Sequence, residues 1–463
     1  MKSETELHYA STRNACKLCS PLGACLAMRG IEGCIPLVHG SQGCATYIRR
    51  YGISHFREPI DIASSNFVEA TAIFGGRDNL FTAIDNVTKQ YSPRAIGVTS
   101  TCLSETIGEN VAMYLKEYEA ERAKGKHGGS SGPMIFYAST PSYRGSHMDG
   151  FHESIWSAVG ALAGSGVEGQ AVSSAPSVNL FSGFVSAEDL RELHSILQTF
   201  GVAYTLLPDY SESLDGNSWE EYQKIPEGGT LISSIASMHA AKTSIYLGRA
   251  VHPERNGAKL LLDRFSVPME HLDLPIGIEF TDRFFSALEA ITGRPTPSTW
   301  GKARGRLVDA YIDGHKYCSG KRAIIYGEED FVVAMASFLD EVGIVPVIAA
   351  TGAKSEKFSA RMKEALRNSR ASTLVMDDAD FETMLETAAP LKPDIVIGNS
   401  KGYYLARKLG LPMVRCGFPV HDRIGGHRIL HLGYRGTLNL FERICNAFME
   451  SSQAGVESGW TYI

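Results

Sequence analysis

His39-Gly40-Ser41-Gln42-Gly43-Cys44, running on through Ala45-Thr46-Tyr47 to Arg49-Arg50-Tyr51, is the stretch around which the chain is organised. Its Gly-Ser-Gln-Gly turn delivers one thiol into the start of a helix. Gly40 and Gly43 let the backbone come close to whatever that thiol binds. A helix N-terminus offers unpaired N–H groups and a partial positive charge, which favour thiolate over thiol. Two other cysteines occupy comparable corners. Cys19 precedes Ser20-Pro21-Leu22-Gly23-Ala24, where Ser20 reads as an N-cap, Pro21 as the first helical residue and Gly30 as the stop. Cys102 follows the apolar run Ala95-Ile96-Gly97-Val98, which ends in the loop Thr99-Ser100-Thr101 ahead of a long helical pattern. That is the expected carboxyl end of a parallel strand, where open α/β sheets place their ligands. Three thiols in three such corners point to one soft-metal site, iron–sulfur or zinc.

A chain of 463 residues is too long for a single core and predicts several domains. With 44% hydrophobic and 21% charged residues it has the composition of a soluble globular protein. A formal charge of −6 gives no electrostatic reason to expect nucleic acid or an anionic membrane surface. No apolar run approaches membrane-spanning length, and the polar stretch Met1 to Asn14 does not read as a signal peptide. Nine cysteines without disulfide-like spacing fit a reducing, cytoplasmic setting.

One kind of unit recurs along the chain. Leu80, Ile84, Val87 and Tyr91 lie at helical spacing, then comes Ser92-Pro93, then the strand ending at Thr99. Phe381 to Ala389, Pro390-Leu391-Lys392-Pro393 and Asp394-Ile395-Val396-Ile397-Gly398-Asn399-Ser400 repeat that order. Further buried strands are predicted at Met134 to Ser139, Val178 to Ser182, Ala203 to Leu207, Ala323 to Tyr326, Val345 to Ala350 and Leu374 to Met376. Strands alternating with helices predict parallel sheets covered on both faces. Lys124 to Gly132 reads as a polar loop within a domain. Seams are expected from Ala163 to Ser174 and from Pro297 to Arg306. The resulting division is 1–170 (carrying the three thiols), 171–300 and 301–463, each an α/β domain.

The segment from Cys16 to Gly108 resembles the β-type subunits of the nitrogenase family. The matching residues are Cys19-Ser20-Pro21-Leu22-Gly23-Ala24, His39 to Cys44, His55-Phe56-Arg57-Glu58-Pro59, Phe74-Gly75-Gly76 and Thr101-Cys102-Leu103-Ser104-Glu105. Ser139-Thr140-Pro141-Ser142-Tyr143-Arg144-Gly145-Ser146-His147, Leu207-Pro208-Asp209-Tyr210-Ser211, Leu214-Asp215-Gly216 and Gly417-Phe418-Pro419-Val420-His421-Asp422-Arg423 continue it. The resemblance therefore covers nearly the whole chain in order. It implies three Rossmann-like domains and an α₂β₂ heterotetramer with an α-type subunit. It also implies an iron–sulfur cluster at each αβ interface, of the [8Fe-7S] P-cluster type or [4Fe-4S], with thiolates from both chains. By the same resemblance Cys19, Cys44 and Cys102 are this chain's ligands, and Ser142 matches a serine that approaches the oxidised cluster. A dimeric, ATP-hydrolysing iron–sulfur reductase would dock above the cluster. The substrate-site metal cofactor would belong to the α-type partner; since the partner would also complete this chain's three ligands, an isolated chain should hold its cluster poorly.

The remaining cysteines have simpler readings. Cys25, Cys34, Cys318, Cys416 and Cys445 are expected as buried packing. Cys16 stays ambiguous, since Cys16-x-x-Cys19 has no second pair to close a zinc site. His421 and His427 are expected in surface or loop roles. Arg49, Arg50 and Arg57 fit either interface ion pairs or a solvated helix face.

Two functions follow from the resemblance. The adopted expectation is the electron-relay subunit of a nitrogenase-like reductase acting on a small substrate other than dinitrogen, since a complete thiol set suits repeated electron delivery. The alternative is the non-catalytic β-like half of the scaffold that matures nitrogenase cofactor. The runs Ala45 to Arg50 and Leu432 to Thr437 resemble that branch, and the short N-terminus agrees with it. A metal-free nucleotide binder is disfavoured because no G-x-G-x-x-G follows the first strand.

Overall fold

The computed structural model describes residues 16–127, 132–165, 177–250, 255–454 and 456. Three sheets, each built only of parallel strand pairs, carry the architecture. The first contains β1 (Cys34–His39), β2 (Ala63–Ser64), β3 (Ala95–Ser100) and β4 (Met134–Ala138), in the order β2-β1-β3-β4. The second contains β5 (Val178–Phe181), β6 (Tyr204–Leu207), β7 (Thr243–Leu247) and β8 (Met269–Leu272), in the order β6-β5-β7-β8. The third comprises β9 (Arg322–Gly327), β10 (Val345–Thr351), β11 (Leu374–Met376), β12 (Ile395–Gly398) and β13 (Met413–Arg415), in the order β11-β10-β9-β12-β13. Central strands such as β1, β3, β5 and β12 are buried along their whole length, which is why they read as apolar runs.

The strands singled out from sequence are all present within a residue or so. Five others, β1, β2, β7, β8 and β13, were passed over. β1 contains Pro36, which argues against a central strand. The structure accommodates it by a register effect. Val38 O accepts from Ser65 N–H on the β2 side, and residues two apart face the same neighbour. Pro36 therefore also faces that side, where the β2 ladder does not begin until Leu37.

Two helix boundaries differ from expectation. The Ser20–Arg29 helix is capped by Cys19 itself, with Pro21 in its first turn and Gly30 closing it. The helix after β3 is short, Cys102–Thr106, because Gly108 at φ +82° breaks the pattern before the Val111–Ala123 helix. The expected helix over Leu80 to Tyr91 spans Arg77–Tyr91 and buries Leu80, Ile84 and Val87. Residues 166–174 of the first expected seam, and residues 128–131 of the Lys124 to Gly132 loop, lie outside the described residues. At the second seam, Pro297 caps the Ser298–Cys318 helix, whose Trp300 is buried and donates to Thr199 Oγ1 at 2.7 Å.

All ten residues of the Ser20–Arg29 helix are buried, chiefly against the His147–Leu162 helix. The crossing depends on two glycines. A Cβ at Gly23 would lie 1.7 Å from His147 O, and one at Gly150 would lie 1.9 Å from Ser20 O. This backbone contact fixes Cys19, just ahead of one helix, beside the loop leading into the other. No described helix is long and apolar enough to cross a membrane.

Candidate metal centre

The strand order of the first sheet reverses between β1 and β3. Chain leaving β1 turns to one side and chain leaving β3 to the other, which opens a crevice at their carboxyl ends. Cys44 follows β1 in the first turn of the Gln42–Phe56 helix, and Cys102 follows β3 as the first residue of its helix. Thr101 caps that second helix, accepting from Ser104 N–H. Gly40 makes the crevice compact, since a Cβ there would sit 2.3 Å from Thr101 Oγ1. Its role is thus to admit the neighbouring loop rather than a ligand. Gly43 is the open one: it is exposed, with only Ser41 Oγ within reach of a Cβ, at 3.6 Å.

Cys19 enters the same crevice from the Ser20–Arg29 helix, and Ser142 joins that helix to the Cys102 element. Its backbone N–H donates to Cys102 Sγ at 3.2 Å, while its Oγ accepts from Ser20 N–H at 3.1 Å. Ser41 Oγ donates to Cys44 Sγ at 3.8 Å. Burial pushes the Cys19 thiol up to about 11, with Cys44 and Cys102 close enough to add to the rise; Leu22 N–H opposes it. The expected thiolate preference at a helix N-terminus is therefore overridden at Cys19 by desolvation. Exposure rises from Cys19 and Cys44, both half-buried, to Cys102, which is exposed. Tyr47, Leu103 and Tyr143 are exposed apolar side chains on the same elements.

A protein-family profile described as Nitrogenase component 1 type Oxidoreductase matches residues 19–449. This chain belongs to that family. Among curated relatives, the nitrogenase molybdenum-iron protein beta chain of Clostridium pasteurianum is 34% identical over 440 residues, 94% of this chain and 93% of the relative. The nitrogenase iron-molybdenum cofactor biosynthesis protein NifN of a Nostoc species is 32% identical over 446 residues, 96% and 95% of the two chains. The solved structure "Nitrogenase Cp1 at pH 6.5" superposes with a TM-score of 0.91 at 32% identity, covering 99% of this chain and 98% of that one. The three-sheet α/β architecture is thus that of nitrogenase component 1.

Nitrogenase component 1 proteins carry iron–sulfur chemistry, and the donor set in the crevice suits it. Three soft thiols converge there, whereas among the described residues no three His, Cys, Asp or Glu side chains close on a single metal ion. That spread disfavours a lone zinc ion and fits a cluster whose several irons take one thiolate each. Cys16 is not part of the set. It is buried in the third sheet's core with Ile324, Tyr326 and Ile348, and burial raises its thiol to about 12. Cys25, Cys34, Cys318, Cys416 and Cys445 are buried, as expected.

Two polar networks behind the crevice were not foreseen. Glu105 resists ionisation through burial, but hydroxyls of Ser100, Ser139 and Tyr137 at 2.5, 2.6 and 3.0 Å hold it below the usual carboxylate range. His39 Nε2 meets Glu109 Oε2 at 3.2 Å beneath the turn, and Glu109 Oε1 accepts from Gly76 N–H at 2.9 Å. His39, Gly76, Glu105 and Ser139 stand in the quoted motifs, Glu109 and Tyr137 do not, and only the three-dimensional arrangement pairs them. His421 is exposed, whereas His427, expected in a surface or loop role, lies in the short Gly426–Arg428 turn but is buried between His55 O at 3.0 Å and Asp215 Oδ1 at 3.2 Å. Arg49 reaches Asp61 at 3.6 Å, and Arg57 donates to His421 O at 2.9 Å. Arg50 is exposed.

Proposed function

We propose that this chain is the β-type, electron-relay subunit of a nitrogenase-like reductase and works in the cytoplasm. Cys19, Cys44 and Cys102 would hold this chain's share of an interfacial iron–sulfur cluster, [8Fe-7S] or [4Fe-4S], with Ser142 beside it. The observation that carries the reading is the half-open crevice in which Cys44 and Cys102 lie close to Cys19, with Ser142 bridging Cys102 and the Cys19-capped helix. Three thiols on a face that is still exposed leave room for ligands from a second subunit, hence an α-type partner and an α₂β₂ assembly. When bound, such a cluster stores and passes single electrons. The chain's own residues position the thiols, donate the Ser142 N–H to Cys102, keep Glu105 hydrogen-bonded and hold His39 Nε2 against Glu109 beneath them. An ATP-dependent iron–sulfur reductase would supply the electrons, and the substrate-site cofactor would lie in the α-type subunit. The substrate proposed is a small molecule other than dinitrogen. As part of the same proposal, domains run over 1–170, 171–300 and 301–463.

A second reading rests on one observation, the near full-length similarity to a cofactor biosynthesis protein. In it the complex is a scaffold that releases a cofactor precursor. One experiment separates the two. The complex, purified anaerobically with its α-type partner and given its ATP-dependent reductase, should reduce a small substrate over many turnovers. Activation of a cofactor-deficient nitrogenase by transfer, with no turnover, would instead establish the scaffold.

A further inference from the structure

A cavity of about 430 Å³, with none of the crevice thiols in its lining, opens where elements of all three sheets meet. His152 of the His147–Leu162 helix forms one wall, and Ala250, just after β7, forms another. Glu329 and Asp330 follow β9, while Lys354 and Lys357 follow β10. Carboxyl ends of parallel strands from two sheets thus face it, the usual approach for ligands in such folds. Its volume falls within the roughly 300–1,000 Å³ of small-molecule sites.

The lining favours negative charge. The Glu329–Glu341 and Glu356–Ala365 helices both begin here, and the first has no side-chain cap. Lys354 and Lys357 stand at the second helix start, and both are exposed. Arg255 adds a cation, already shared with Glu153 at 3.0 Å and Asp149 at 3.5 Å. Burial pushes the Glu329 carboxyl up to about 8, mostly neutral at pH 7, and the Asp330 carboxyl to about 7, half ionised there, so the two offset these charges only in part. Asp330 is further occupied by Ala250 N–H, at 2.7 Å.

His152 supplies an independent sign of a ligand. Its side chain is only 2% exposed, and Tyr246 Oη lies 2.5 Å from Nδ1. Its Nε2 is buried and has no protein partner. Burial holds the imidazole neutral, at about 3, and keeps the Tyr246 hydroxyl protonated. With the Tyr246 hydroxyl donating to Nδ1, the ring proton sits on Nε2, which is then a buried donor without a protein acceptor. Buried donors are normally satisfied.

We infer that this cavity binds a small oxyanion with several negative charges, one oxygen accepting from His152 Nε2 and the others facing Lys354 and Lys357. Clustered anionic oxygens occur in polycarboxylates and in polyphosphates, and the site is independent of the relay function.

The test is calorimetric titration of the purified two-subunit complex with tricarballylate and with inorganic pyrophosphate, at constant ionic strength in sodium chloride. Saturable binding of one probe per chain is expected, with Kd below about 1 mM. The stronger probe assigns the carboxylate or the phosphate source. Lys354→Glu combined with Lys357→Glu changes only exposed side chains and should weaken binding at least ~10-fold with an unchanged circular dichroism spectrum. His152→Leu should weaken it too, and His152→Gln, which restores an N–H, should recover part of the loss. Absence of saturable binding by either probe up to about 10 mM overturns the inference. So does an affinity that is unchanged in the double lysine variant.

Discussion

The units ending at Cys102 and at Ser400 read alike in sequence: amphipathic helix, proline turn, buried strand, polar loop. Both end at a topological reversal, between β1 and β3 in the first sheet and between β9 and β12 in the third. One crevice stays open and presents thiols. The other is sealed by its own side chains. Tyr326 donates to Asn399 O at 2.6 Å, Asn399 Nδ2 donates to Phe418 O at 2.8 Å, and Lys401 Nζ donates to Lys17 O at 3.1 Å. Gly402 packs so tightly that a Cβ would lie 2.1 Å from Tyr326 Oη. Topology thus marks where a ligand can sit, and the residues lining the loops decide whether anything does.

The largest expected effect comes from the helix crossing that sets the open crevice apart. Gly23→Val should destabilise the chain by about 3 kcal/mol, because its side chain must displace the backbone around His147. Denaturant melts should show this together with loss of iron. A wild-type midpoint would mean that the crossing does not hold Cys19 in place.

Breaking the sealed crevice should cost less and leave the metal untouched. Asn399→Ala removes a buried amide that donates to Phe418 O and accepts from Lys401 N–H at 3.1 Å. About 1–3 kcal/mol of stability should be lost as those buried partners are left unsatisfied. Iron content should not change. Loss of iron in this variant would show that the two crevices are coupled.

Acid should strain the sealed side as well. His55 Nδ1 accepts from Val420 N–H at 2.9 Å behind the seal, and burial lowers its pKa to about 3. The unfolded chain takes up a proton near pH 6.5, and the folded chain does so only near 3. Stability contributed by neutral His55 is therefore full above about pH 6.5 and falls as the pH drops from there toward 3. The slope approaches about 1.4 kcal/mol per pH unit for this one group. His55→Gln should flatten the acid limb of the stability profile, and an unchanged limb would contradict the assignment.

The smallest effect is expected at the open crevice. Ser142→Ala loses the acceptor for Ser20 N–H but keeps the backbone donor to Cys102. Thermal melts should register about 1 kcal/mol or less, with iron retained. Substantial iron loss would assign the hydroxyl a ligand role.

Much of this was legible before any coordinates. The thiol corners were visible because glycine turns, proline at a helix start and apolar strands are local signals; β3, β5 and β12, buried along their whole length, were found for the same reason, whereas the equally buried β1 was passed over at Pro36. β2 and β13 were missed because two or three residues carry no pattern, and β8 because Glu270 and His271 interrupt it. The thiolate preference expected of helix N-termini failed at Cys19, where desolvation depends on neighbours far away in sequence. The destination of Cys16 and the burial of His427 are tertiary facts of the same kind. So is the seal around Asn399, which needs Phe418 and Tyr326 brought to one place.

The most direct test of the central claim is the iron content and electron paramagnetic resonance spectrum of the purified two-subunit complex carrying Cys44→Ala, beside one carrying Cys25→Ala. Cys44 borders the open Gly43 face, whereas Cys25 is fully buried in the core. The account predicts lowered iron and an altered spectrum for Cys44→Ala. It predicts wild-type iron with modest destabilisation for Cys25→Ala. Full iron and an unchanged spectrum in the Cys44→Ala complex, with both lost in Cys25→Ala, would contradict it.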